Sequence, residues 1–157
     1  MPPEHPLEPT AADCRLEHVF DIEVHFGADR TIFGPLPGGA SQGYTPASGG
    51  TISGPRLSGK VVGGSGADYA RVRGDGTIEL EAHYLLQADD GTMIDIHNQG
   101  YLVRPTPGEA QPSYFKLTPY FRVPEGQHDW LNRTVIVGGG ERRSDPDRTL
   151  FRYYALV

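Results

Sequence analysis

From Leu16 to Phe26 the side chains alternate, with Phe20, Ile22, Val24 and Phe26 apolar and Asp21, Glu23 and His25 polar. That period of two is what a half-buried strand requires. Strand signatures recur at about 51–63, 68–73, 77–87, 93–103, 113–123, 132–138 and 148–157, separated by Gly, Pro and Asp turns. No helical period of useful length and no internal repeat interrupts them. Strands in succession without helices form a sandwich or a barrel, and closure removes exposed edges. The pattern therefore predicts an all-β fold, a single closed or nearly closed antiparallel β-barrel of about eight to ten strands spanning residues 16–157. The proline-rich, aperiodic residues 1–15 read as a flexible leader, which makes His5 and Cys14 poor catalytic candidates. The stretch Gly34–Gly50, rich in Gly, Pro and Ser and containing Tyr44, reads as a turn-rich crossing or a mobile loop over a pocket.

One hairpin can be registered from its pattern. Ile78, Leu80, Ala82, Tyr84 and Leu86 make one face of a strand, and Ile94 and Ile96 belong to one face of the next. A three-residue loop Asp89-Asp90-Gly91, with Gly91 left-handed, pairs Ala88 with Thr92 and sets Tyr84 opposite Ile96, so the apolar faces coincide. A two-residue loop would slip the register by one and mix the faces. The three-residue choice gathers Glu81, His83, Asp95, His97 and Gln99 on the other face, with His83 across from His97 and Glu81 across from Gln99. That face either points to solvent, as polar faces usually do, or lines a polar lumen in which an imidazole beside a carboxylate shuttles a proton. Two histidines and a carboxylate at strand spacing are weak evidence for a metal, and none is expected.

Composition narrows the classes. The 157 residues fit one domain, and a formal charge of −6 disfavours nucleic acid, whose phosphates demand clustered Lys and Arg. Cys14 is the only cysteine, so neither an internal disulfide nor a thiolate-rich metal site can form. With no signal peptide or membrane-spanning apolar run, a cytoplasmic location is expected.

Among the remaining segments, Gly63-Gly64-Ser65-Gly66 lacks the following helix of an anion-binding loop and reads as a bulge or tight bend bearing Asp68. Asp68 either caps backbone amides or projects a carboxylate into a pocket as acid or base. Trp130-Leu131-Asn132 joins the only tryptophan to a side-chain amide that could orient a carbonyl, although a tryptophan there is also a natural core anchor. No serine sits in a nucleophile elbow.

The run GGTISGPRLSGKVVGGSGADYARVRGDGTIELEAHYLLQADDGTMIDIHNQG, with the later YFKLTPYF and DWLNR, resembles the uncharacterised family known as domain of unknown function 3237. Gly54-Pro55, Gly64, Asp68, Asp75-Gly76, Tyr84, Asp90-Gly91, Asn98, Gly100, Phe121 and Trp130-Leu131-Asn132 carry the likeness. Tyr69 stands where a tryptophan is usual, and His83 and His97 where arginine is frequent; Tyr44 falls near another arginine position. These departures imply a differently specialised pocket. The family is similar to barrels of the calycin and allene-oxide-cyclase type, which include cofactor-free cyclases and isomerases as well as binding proteins.

The expected activity is thus a cofactor-independent isomerisation or cyclisation of an apolar oxygenated metabolite. Asp68 or Glu81 with His97 would exchange the proton, Tyr84, Asn98 or Asn132 would polarise a carbonyl, and Tyr44, Tyr69 and Trp130 would contact the substrate. The alternatives are a carrier or sensor of a similar ligand, and a hydrolase or lyase using the same groups. The expected partner is a small molecule, and a homodimer is left open.

Overall fold

The structure, a computed structural model, describes residues 14–157. In chain order its strands are β1 (Leu16–Phe26), β2 (Thr31–Phe33), β3 (Ser41–Ser53), β4 (Gly59–Val61), β5 (Ala67–Asp68) and β6 (Arg71–Val72). They continue with β7 (Ile78–Ala88), β8 (Met93–Val103), β9 (Tyr114–Arg122), β10 (Ile136–Arg143) and β11 (Arg148–Leu156). A 3-10 turn, Asp129–Arg133, precedes β10. All pairings are antiparallel, and the sheet runs β1-β11-β10-β9-β8-β7. β4, β5 and β6 together form one broken strand between β7 and β3, and β3 pairs back onto β1. The result is the closed eight-stranded barrel that the alternation predicts, with β2 added beside β3.

Closure assigns every strand an inside. On β1 the inward residues are Phe20, Ile22 and Val24, which pair with Tyr153, Phe151 and Thr149 of β11. The inward residues of β7 and β8 are Ala82, Tyr84, Leu86, Ala88, Ile94, Ile96 and Asn98, all buried. The hairpin has the expected register, with Tyr84 opposite Ile96, His83 opposite His97 and Glu81 opposite Gln99. Gly91 is left-handed at φ 91°, and Ala88 N donates to Thr92 O at 2.9 Å.

Three assignments shift. The stretch 34–50 is mostly not a loop, since its second half begins the 13-residue strand β3. Its small residues mark close approaches: a Cβ on Gly50 would stand 1.9 Å from Glu23 O, and one on Gly43 would stand 3.2 Å from Ala70 O. The strand expected at 132–138 starts at Ile136, because residues 129–133 form the 3-10 turn, and runs on to Arg143. Of the leader, residues 1–13, His5 included, lie outside the described residues. Arg15 already exchanges backbone bonds with Val157, so it extends the β1–β11 ladder.

One substitution tests the closure. Gly50→Ala drives a methyl into the backbone of β1 and should cost about 3 kcal/mol or more. Gly64→Ala, left-handed at φ 76° but with open space around it, should cost only about 1–2 kcal/mol. Urea unfolding of both variants measures the difference.

Candidate active site

Alternation sends few polar side chains inward. At one end of the barrel the cavity is lined by Val24, Phe26, Ala47, Asp68, Leu80, Ala82, Tyr84, Asn98, Leu117 and Phe151. Its volume is about 20 Å³, room for one water. A larger concavity of about 850 Å³ lies on the outer wall, flanked by Tyr101, Tyr114, Lys116, Arg152 and Tyr154 over Gly139. It is open to solvent and holds none of the buried polar groups.

Asp68 reaches the interior because β5 pairs it with inward Ala82. The segment before it is a tightly packed bulge: a Cβ on Gly66 would fall 1.8 Å from His83 O. Ser65 fills the broken ladder there, donating to Val62 O at 2.6 Å and accepting from Leu85 N at 2.9 Å. Asp68 Oδ1 accepts from Glu81 N at 3.2 Å, so the carboxyl both caps the backbone and faces the cavity. Burial pushes its pKa up to about 6, against the Glu81 N–H bond and the charge of Arg142, which pull it down.

Deeper in, Tyr84 and Tyr153 are buried, and burial holds both phenols well above their ordinary pKa. Both are therefore neutral O–H groups. The Asn98 side chain lies within hydrogen-bonding reach of the Tyr153 hydroxyl, off ideal geometry, and the buried Tyr84 hydroxyl has no partner among the described residues. Buried polar atoms are almost always paired, so the Tyr84 hydroxyl and the loosely paired Tyr153 and Asn98 side chains can take up a water or a polar atom of a ligand.

At the rim, Arg142 is inward by the parity of Ile136, Gly138 and Gly140, and it pairs with buried Thr149. Its guanidinium donates to Thr149 Oγ1 at 2.5 Å and to Asp147, and lies 5.4 Å from the centre of the Phe26 ring.

The structure brings together Asp68, Tyr84 and Asn98 and separates them from the other candidates. Glu81 and His97 point outward, 56 % and 42 % exposed and 3.7 Å apart. The polar face of the hairpin is an outer face, and the lumen version of it is corrected. His83 bonds Asp95 at 2.6 Å on that outer wall. Among the described residues no group of three or more His, Cys, Asp or Glu could hold a metal. Tyr44 and Tyr69 stack on each other outside, centroids 5.4 Å apart, both exposed. Trp130 packs at the end occupied by Leu131, where Arg56 lies 3.7 Å over its ring. Asn132 is spent on the backbone of Val123, accepting from its N at 2.9 Å and donating to its O at 2.8 Å. Trp130 and Asn132 therefore close the barrel rather than line the cavity.

Sequence reasoning passed over Tyr153, Arg142 and Phe26. In RTLFRYYAL either parity of β11 offers apolar residues, so only its pairing with β1 reveals that Tyr153 is inward.

A family model described as a protein of unknown function, DUF3237, matches residues 14–156. The UPF0311 protein RPA1785 of Rhodopseudomonas palustris is 31% identical over 139 residues, covering 82% of this chain and 89% of that protein. Its crystal structure superposes with a TM-score of 0.83 over 96% of this chain and 100% of that one, at 29% identity. A β-barrel-like protein of Acinetobacter baumannii gives a TM-score of 0.84 at 25% identity, over 97% of this chain and 100% of that one. The hydroalkoxylation enzyme phnH of Penicillium herquei is 35% identical over 92 residues, 58% of this chain and 52% of that enzyme. An enzyme structure from the same fungus shares the fold, with a TM-score of 0.74 at 22% identity over 96% of this chain and 100% of that one.

Two stability measurements test the site. Removing an unpaired buried hydroxyl forfeits no bond, so Tyr84→Phe should unfold within about 1 kcal/mol of the parent, or later than it. For Asp68 the folded pKa lies above the unfolded value of 3.8. Between about pH 4 and 6 the folded chain keeps a proton that the unfolded chain releases, so this group lowers stability as pH rises, by up to about 3 kcal/mol. Asp68→Asn removes that loss. Its urea midpoint should gain on the parent between pH 4.5 and 7.5, whereas a constant offset would contradict the shift.

Proposed function

The chain belongs to the DUF3237 family of proteins of unknown function, and on that footing we propose that it is a proton-transfer enzyme. It rearranges a small, largely apolar oxygenated metabolite, as an isomerase or cyclase that needs no cofactor. One observation carries the reading: the buried polar side chains of Tyr84, Asn98 and Tyr153 share a barrel end with an inward carboxyl whose pKa is about 6. A group poised near the working pH can give a proton and take one back.

The relative named as a hydroalkoxylation enzyme supplies a concrete reaction type. An O–H bond breaks, oxygen bonds to one carbon of a C=C, the π bond is consumed, and a proton reaches the other carbon. Atoms and electrons balance within the substrate, so an acid–base group is the only reagent required. In this scheme Asp68 delivers the proton to carbon and its carboxylate receives the hydroxyl proton. The Tyr84 and Tyr153 hydroxyls donate to a substrate carbonyl, and Asn98 Oδ1 accepts from the substrate hydroxyl. Val24, Leu80, Leu117 and Phe151 supply the apolar walls, which keep water from trapping a cationic centre.

A carrier is the weaker reading: the interior space of about 20 Å³ bears equally on both, whereas a carboxyl with a pKa of about 6 has a use in proton transfer and none in carriage. Substrate enters by displacing side chains at the mouth.

The test is turnover of a panel of alkenyl phenols and hydroxy-enones, scored by NMR for products of unchanged mass. Asp68→Asn should slow conversion by about 10²–10⁴-fold. Glu81→Gln and His97→Gln, both on the outer wall, should stay within about twofold of the parent. An Asp68→Asn variant with parental turnover would sink the assignment.

A further inference from the structure

Among the described residues, two side chains that carry a full charge face into the barrel near the cavity, Asp68 and Arg142, and the scheme above uses only the first. Arg142 is oriented with care. Its guanidinium reaches inward to Thr149, which is 2 % exposed, and covers the Phe26 ring that lines the cavity. Its backbone is also held. The β9–β10 ladder spans only two residue pairs, Gly138 with Leu117 and Gly139 with Lys116. Beyond it the Gln111 amide takes over, donating to Arg142 O at 2.9 Å and accepting from Arg142 N at 3.1 Å. An arginine anchored at backbone, head group and ring face is preorganised, and a planar fork with free N–H groups suits a carboxylate.

The charges at the mouth leave a place for one. Arg30 and Arg142 both bond the carboxylate of Asp147, and both lie over Phe26, Arg30 at 5.5 Å. One carboxylate thus serves two guanidiniums, and Asp68, which feels the charge of Arg142, is the proposed acid. A protonated Asp68 leaves the mouth with one positive charge uncompensated.

We propose that Arg142 is the specificity-determining residue of this site, seating the carboxylate of an acidic substrate at the rim while the reacting part of that substrate extends to Asp68. The proposal rests on the interior site described above and adds the substrate class, a monocarboxylic oxygenated metabolite. The apolar walls and the single inward cation fit one negative charge rather than a phosphate or a polyanion. Seating also affects the acid. A carboxylate on Arg142 cancels the charge that draws Asp68 toward ionisation and adds a negative neighbour, so the bound substrate favours the protonated form that the reaction consumes.

The probes are benzoate and its neutral counterpart benzamide, titrated into the ¹⁵N-labelled full chain and followed at the amides of Phe26, Ala47 and Thr149. Benzoate should bind at least about tenfold more tightly than benzamide. Arg142→Gln should abolish that preference and leave benzamide unchanged. Arg142→Lys, which keeps the charge and much of the packing, should retain part of it. Arg143→Gln, outward and next along β10, should retain all of it. Asp147→Asn frees both guanidiniums and should tighten benzoate by about three- to tenfold, again without effect on benzamide.

Equal binding of the two probes to the parent, or a preference that survives Arg142→Gln, overturns the role of Arg142 and leaves the Asp68 reading intact. If neither probe shifts the mouth amides at millimolar concentration, the interior site falls with it. Loss of turnover in Asp68→Asn alongside equal probe binding separates the two failures.

Discussion

An eight-stranded barrel has an interior wide enough for one shell of side chains, and alternation decides which residues form it. In this chain closure through the β1–β3 pairing turns the outer residues of every strand to solvent and commits the rest to a shared core. A core of that width is filled by Phe20, Ile22, Leu86, Ile94, Ile96 and Phe121, and each polar residue admitted to it must find a partner or remain costly. Tyr84 is admitted and finds none among the described residues, and Asn98 and Tyr153 have only each other. The site is the set of inward positions where the barrel departs from an apolar core, and those departures sit together at one end.

Much of this was legible in the sequence, and the reason is local. Between Thr77 and Asn98 both strands alternate cleanly and are joined by a short turn, so pairing and parity follow from one hairpin. Tyr84 stands out this way, Asp68 through the bulge before it, and Asn98 through the family resemblance. What failed depends on long-range closure. Which face of the hairpin is interior cannot be read from the hairpin alone, and the titratable face with Glu81 and His97 was weighed as a lumen although it is the outer wall. β3 was hidden because its glycines, there to let β1 approach, look like loop composition. Tyr153 and Arg142 become visible only when β11 is laid against β1 and β10. Trp130 and Asn132 were legible as special residues, but their partners Arg56 and Val123, which make them structural, lie far away in sequence.

The electrostatics of the site follow from the same geometry. Burial raises Asp68 and both phenols, so the interior holds neutral donors and a carboxyl near its midpoint rather than a cluster of fixed charge. Arg142 opposes the rise of Asp68 while itself losing basicity to burial and to Arg30. A ligand that changes the charge at the rim therefore changes the protonation of the acid without touching it. The outer His83–Asp95 and His97–Glu81 pairs are exposed, where such pairs add little to stability.

The central claim is that a protonatable carboxyl lies inside the barrel beside buried neutral hydroxyls. Following the Asp68 side-chain ¹³C resonance against pH reads this directly. The account predicts a midpoint about two units above the ordinary aspartate value, near 6; a midpoint near 4, as for a solvated aspartate, would contradict it.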